Sequence, residues 1–314
     1  MRVILLLSCL CGLLGLTALS MGSAGHYPPW QWQQIPNVII TELRLPRLMA
    51  GLAAGGLLGL AGALVQVLTR NPLADPYMLG ISGGAAVGAL SAMLLGAGLW
   101  WQHVSAAGGG MLVLALVLWL ARSHVIWDGS RLILTGVVLA TALGAVVTLL
   151  LALAPDAALR GMLFWLMGDL SRAPSGYIAL MVLLLLMPVA IVLARDLDLL
   201  TRGELLAASL GVAVRRTRLL VFLIAGLATA VAVVTVGTIG FVGLIAPHIA
   251  RLLLGLNHRQ VVPASILIGA ILVAGADLLA RLVVAPEQLP AGALLALLGA
   301  PLFLYLLYRH TGRY

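Results

Sequence analysis

Hydrophobic residues along this chain come in long runs broken by short polar stretches. A helix that crosses a bilayer takes about 20 predominantly apolar residues. Ten runs approach that length, at 2–20, 47–68, 80–98, 104–121, 131–153, 176–195, 217–237, 240–255, 261–284 and 291–309. The eighth is short and need not cross as one straight helix. No soluble domain interrupts the series. The pattern therefore predicts an all-α polytopic membrane protein of about ten transmembrane helices, with residues 1–314 forming a single transmembrane domain. No repeat of fixed period shows, and an inverted structural repeat would not need one.

Composition agrees. Of the 314 residues, 62% are hydrophobic and 9% charged, with a mean hydropathy of +1.14. A soluble domain is about half apolar and about a quarter charged. A soluble enzyme, a disordered chain and a secreted disulfide scaffold are excluded. Cys9 and Cys11 lie two apart in an apolar run, without metal-site spacing. The chain has no lysine, so it carries neither a P-loop nor a Schiff-base lysine. Its formal net charge of +8 rests on arginine alone. No basic stripe interleaved with aromatics points to nucleic acid.

Arginine placement sets the orientation. With the N-terminus in the cytoplasm, only Arg44, Arg47, Arg160, Arg172 and Arg281 of the 18 arginines fall outside. The positive-inside rule favours this arrangement, and ten spans then place both termini in the cytoplasm. Trp30, Trp32, Trp100 and Trp101 fall near the outer interface, where amphipathic rings settle. The first run has signal-peptide features, with small residues near Gly22, and Leu6-Leu7-Ser8-Cys9 has the look of a lipoprotein box. Too few apolar residues precede Cys9 for such a leader, so a retained first helix is expected.

Local motifs mark particular positions. Gly51, Gly55 and Gly59 share one helix face and predict close packing with another backbone. Arg70 through Pro76 reads as a turn. The glycines at 237, 240 and 243, followed by Pro247 and His248, predict a broken or kinked helix. His248 is expected to be a packed, hydrogen-bonded residue and not a metal ligand. Asp277 is the one acid inside a span, and Arg281 one turn later is placed to pair with it. The connection from Arg195 to Arg218 predicts a short amphipathic helix ended by Gly211.

Taken together, these pieces resemble the permease subunits of ABC importers for iron-siderophore, haem and cobalamin, the type II, FecCD-like family. The resemblance runs from Arg44 to Pro301. It rests on Arg44-Leu45-Pro46-Arg47, on Asn71 through Pro76 with Leu79-Gly80, and on Gly203-Glu204 through Leu210-Gly211. Gly240-Phe241-Val242-Gly243-Leu244 with Pro247-His248, Asp277 with Ala280-Arg281, and Leu289-Pro290 through Gly299-Ala300-Pro301 complete it. It implies the type II permease fold in the bacterial inner membrane. A second permease subunit, in a homodimer or a pair, is implied, with two cytoplasmic ATPases and a periplasmic substrate-binding protein.

ATP and magnesium then belong to the ATPase, and this chain holds no cofactor or metal and catalyses nothing. Arg44, Arg47 and Arg281 match arginines that receive acidic residues of the binding protein. Gly203, Glu204, Ala207, Leu210 and Gly211 match the coupling segment that docks on the ATPase. Asp128, Gly129 and Ser130 match the cytoplasmic gate region. The cargo implied first is an iron chelate, siderophore or haem, with cobalamin as the alternative. An ion-coupled secondary transporter is the reading from a different class. It would need ionisable groups or unwound ion sites within the membrane.

Overall fold

The computed structural model describes residues 2–22, 25–34, 38–122, 129–171, 173 and 176–310. The chain opens with α1 (Arg2–Ser20) and a two-residue antiparallel pairing of Met21–Gly22 with Gly25–His26. A π-helical turn, Ile39–Arg44, runs into α2 (Leu45–Thr69). Pro46 sits in the first turn of α2, where its fixed φ suits the helix. α2 ends at Arg70, which takes the left-handed conformation (φ 50°). Asn71 Oδ1 then accepts from the Leu73 N–H at 2.9 Å, and Asp75 caps the short helix Pro76–Leu79 by accepting from the Tyr77 N–H at 2.8 Å. Burial pushes the Asp75 carboxyl up to about 6, against the pull of that N–H. The turn expected at 70–76 is thus built from the asparagine, aspartate and prolines that announced it.

The helices that follow are α3 (Ile81–Leu94), α4 (Leu99–Arg122), α5 (Gly129–Ala152), α6 (Asp156–Leu166), α7 (Tyr177–Val192), α8 (Ala194–Arg202), α9 (Glu204–Ser209), α10 (Val214–Val236), α11 (Val242–Leu254), α12 (His258–Leu282) and α13 (Ala291–His310). Among the described residues, six stretches are long and apolar enough to span a membrane alone: Arg2–Ser20, Ile39–Thr69, Leu99–Leu120, Leu134–Ala152, Val214–Val236 and His258–Leu282. α7 reaches span length only together with α8, from which it is bent by 58°. The shorter α3, α11 and Ala291–Tyr305 complete the set of about ten.

α2 is the central helix, packed against α12, α10, α11 and α7. Glycine makes this possible. A Cβ on Gly55 would collide with the Gly269 carbonyl of α12, one on Gly59 with the Ser265 carbonyl, and one on Gly62 with the Gly243 carbonyl of α11. Lipid is as apolar as leucine, so close backbone approach is what holds such helices together. The glycine series of the second span is therefore a packing face. On the periphery, α5, α7 and α13 expose Val138, Leu149, Leu185, Leu297 and Leu304 among others.

The expected helix break lies between α10 and α11. Gly237 (φ 74°) and Phe241 (φ 69°) bound it, while Pro247 sits inside α11 without ending it. Non-helical backbone at membrane depth needs internal partners. Thr238 Oγ1 donates to the Leu166 carbonyl. The Tyr77 hydroxyl accepts from the Ile239 N–H at 2.9 Å and donates to the Ile239 carbonyl at 3.1 Å. These bonds tie the break to α6 and to the turn before α3. His248 is buried on α11, edge-on to Phe303 at a centroid distance of 6.1 Å.

Candidate functional site: two charged clusters at opposite ends

At the end where α2 begins and α12 finishes, Arg44, Arg47 and Arg281 line one cavity of about 260 Å³, with Glu42 and Gln288 beside them. Arg47 donates through Nε and Nη2 to Asp277 Oδ1 at 2.8 and 2.7 Å, and through Nη1 to Gln288 at 2.7 Å. Arg281 meets Asp277 Oδ2 at 3.1 Å, the pairing expected from their one-turn spacing. The Asp277 side chain is only 3% exposed, so its charge is stable there because two guanidinium groups hold it. Arg44 is also buried. It donates to the Leu19 carbonyl at 2.7 Å and the Gly25 carbonyl at 3.2 Å, and lies over the Tyr27 ring. The structure thus brings the three arginines together. It also supplies a partner for Arg47 that is 230 residues away in sequence.

Beside this cluster, α6 walls a second cavity of about 650 Å³ with Gln102, Arg160, Asp169 and Glu287. Nothing in the run pattern called for α6. It is an 11-residue helix with Asp156 and Arg160 in it, too short and too polar to register as a span.

The opposite end carries the connection from Arg195 to Arg218. Where one helix was expected, there are two, α8 and α9, separated by Gly203 at φ 127°. Gly211, at φ 85°, follows the end of α9 as expected. On α9, Ala207 is buried, while Leu205 is 90% exposed and Leu206 and Leu210 are exposed beside it. Glu204 turns inward, to Arg70 at 2.7 Å and Arg218 at 2.9 Å. On α8, Asp198 holds the His258 ring at 2.6 Å and the His258 N–H at 3.0 Å. Leu205, the most exposed leucine of the segment, lies beside Gly203, Glu204, Ala207, Leu210 and Gly211, the residues that the sequence singled out.

Of the three residues matched to a gate region from sequence, Gly129 and Ser130 open α5, and Asp128 lies outside the described residues. Among the described residues no group of three or more His, Cys, Asp and Glu converges on a metal-sized site.

A glycine-laced bundle of about ten apolar helices, with an arginine cluster at one end and a pinned helical projection at the other, defines a polytopic membrane protein. The chain belongs to the FecCD transport family, whose model matches residues 3–309. It is 37% identical to the Fe(3+) dicitrate transport system permease protein FecD of Escherichia coli, over 98% of this chain and 99% of the relative. It is 38% identical to the vitamin B12 import system permease protein BtuC of Klebsiella pneumoniae, over 91% of this chain and 87% of the relative. An inward-facing structure of a metal-chelate type ABC transporter superposes with a TM-score of 0.86 at 32% identity, covering 98% of both chains. This protein is the permease component of an ABC importer and not its catalytic subunit. Such a permease works with an ATPase and a substrate-binding protein.

Proposed function

We propose that two copies of this chain form a homodimer in the bacterial inner membrane, with both termini in the cytoplasm. The dimer moves an iron chelate inward on the energy of two ATPase subunits. The observation that carries the reading is the placement of the two clusters at opposite ends of one closely packed helix pair, α2 and α12. Arginine crowding at the outer end suits a carboxylate-bearing partner. The exposed leucines of α9 at the inner end suit an apolar groove. For the cargo, the support is the end-to-end alignment with the ferric dicitrate permease and the likeness to a metal-chelate transporter. Uptake of labelled iron chelate and labelled cobalamin, measured with the cognate binding protein and ATPase in proteoliposomes, tests it. Accumulation of the iron chelate is expected. Accumulation of cobalamin alone would install the alternative cargo.

The outer cluster is read as the docking site for acidic residues of the binding protein. The pairing of Arg47 with Asp277 changes how this is tested, because replacing Arg47 also strands a buried acid. The substitution therefore belongs on the binding protein. Changing its docking acids to neutral residues should slow association with the permease, most at low salt, because rim charges steer encounter and are screened. Surface plasmon resonance across a salt series measures this, and a rate indifferent to both changes removes the docking role.

The segment Gly203–Gly211 is read as the ATPase docking surface. Leu210→Asp places a charge in an apolar contact. The ATPase should no longer co-purify, while the permease still inserts and elutes as a folded species. Unchanged co-purification would count against the assignment.

A further inference from the structure

α9 is six residues long. A helix this short does not hold itself together, so its position depends on what fastens it. It is flanked by Gly203 and Gly211, both at positive φ, and no atom lies within 4 Å of a Cβ built on either. These are open joints. Between them Ala207 is buried, and the one charged side chain of α9 is Glu204. It points back into the permease. Its Oε1 accepts from Arg70, the left-handed residue that ends α2, and from Arg218 in the first turns of α10. The Arg218 side chain is 5% exposed and also donates to the Leu68 carbonyl of α2 at 3.4 Å. α8 is fastened separately, through Asp198 to His258 at the start of α12 and through Asp196 to Thr217 on α10.

We propose that Glu204 is a positioning residue and not an ATPase contact: it clamps α9 to the inner ends of α2 and α10, so that movement of α9 is delivered to α2. The inference rests on the reading of residues 203–211 as the ATPase docking surface. Within it, Leu205, Leu206 and Leu210 make the contact and Glu204 makes the joint. α2 can carry the displacement because Gly55, Gly59 and Gly62 seat it backbone to backbone on α12 and α11. At its outer end the Arg47–Asp277 pair ties it again to α12, beside the arginine cluster. A clamp of α9 onto this pair joins the ATPase surface to the outer end through packed, charge-tied contacts.

The test uses the permease reconstituted with its ATPase and binding protein, and reads two quantities: the ATPase that co-purifies, and the substrate moved per ATP hydrolysed. Glu204→Gln keeps the side chain's shape and removes its charge. It should retain the ATPase and lower substrate moved per ATP about tenfold, the effect of ~1.4 kcal/mol. Adding Arg70→Gln should produce no further fall, because the ion pair is already lost and effects within one interaction do not add. Leu205→Asp is the comparator and should release the ATPase. The clamp is overturned if Glu204→Gln releases the ATPase as Leu205→Asp does, if substrate per ATP is unchanged, or if Arg70→Gln adds a full loss of its own. If Leu205→Asp keeps the ATPase bound, the docking reading itself fails, which is a separate result from failure of the clamp.

Discussion

Gly59→Leu should abolish folding. The substitution places a branched side chain where the Ser265 carbonyl of α12 already sits, and neither backbone can withdraw without unseating the central helix. Overpacking a side chain into a well-packed core costs about 1–3 kcal/mol when neighbours can shift. Here the neighbour is main chain on a helix that α2 contacts along its length, so the cost should exceed that range. Expression with size-exclusion analysis in detergent should show aggregate in place of a symmetric peak. Gly108→Leu on α4 is the control, since nothing lies within 4 Å of a Cβ at that position, and it should elute normally. A normal peak for Gly59→Leu would show that α2 and α12 are not in backbone contact.

Asp277→Ala should be nearly as damaging, for an electrostatic reason. The acid is the shared counter-charge of Arg47 and Arg281, whose side chains are 13% and 6% exposed. Removing one partner of a buried ion pair costs about 3–5 kcal/mol, because the remaining charge stays desolvated. For a chain of this size that lowers the unfolding midpoint by about 10 °C. Asp277→Glu, which keeps the charge, should lose less. Thermal unfolding followed by tryptophan fluorescence or residual monodispersity measures both. An unchanged midpoint for Asp277→Ala would mean that the acid does not hold Arg47 and Arg281 in the fold.

Much of this architecture is legible in the sequence, because a bilayer imposes a coarse rule on every span. A helix in lipid must satisfy its own backbone and show an apolar surface. The ten long runs therefore fall on helices within a few residues, including the short eighth run that became α11. Glycine spacing in the second span announces close packing, but nothing local says that Gly55 meets Gly269 or that Gly62 meets Gly243. The i,i+4 pair Asp277–Arg281 is readable because helical geometry brings those residues together. Arg47–Asp277 and Arg70–Glu204 are not, since their separations of 230 and 134 residues are closed only by the packing of different helices. The break at residues 237–241 is visible as glycines, whereas its stabilisation by Tyr77 and Thr238 depends on neighbours that sequence periodicity does not locate. α6 escaped because a short helix carrying two charges gives neither a span signal nor a distinct loop signal.

This chain is a permease of an ABC importer, and the ATP hydrolysis that drives it belongs to another subunit. The most direct measurement is substrate accumulation in proteoliposomes containing the permease, supplied with the binding protein on one face and the ATPase on the other. Accumulation is expected only when ATPase, hydrolysable ATP and binding protein are all present, with no ATP hydrolysis by the purified permease alone. Accumulation by the permease without its ATPase, driven by an imposed proton or sodium gradient, would contradict it and establish an ion-coupled carrier.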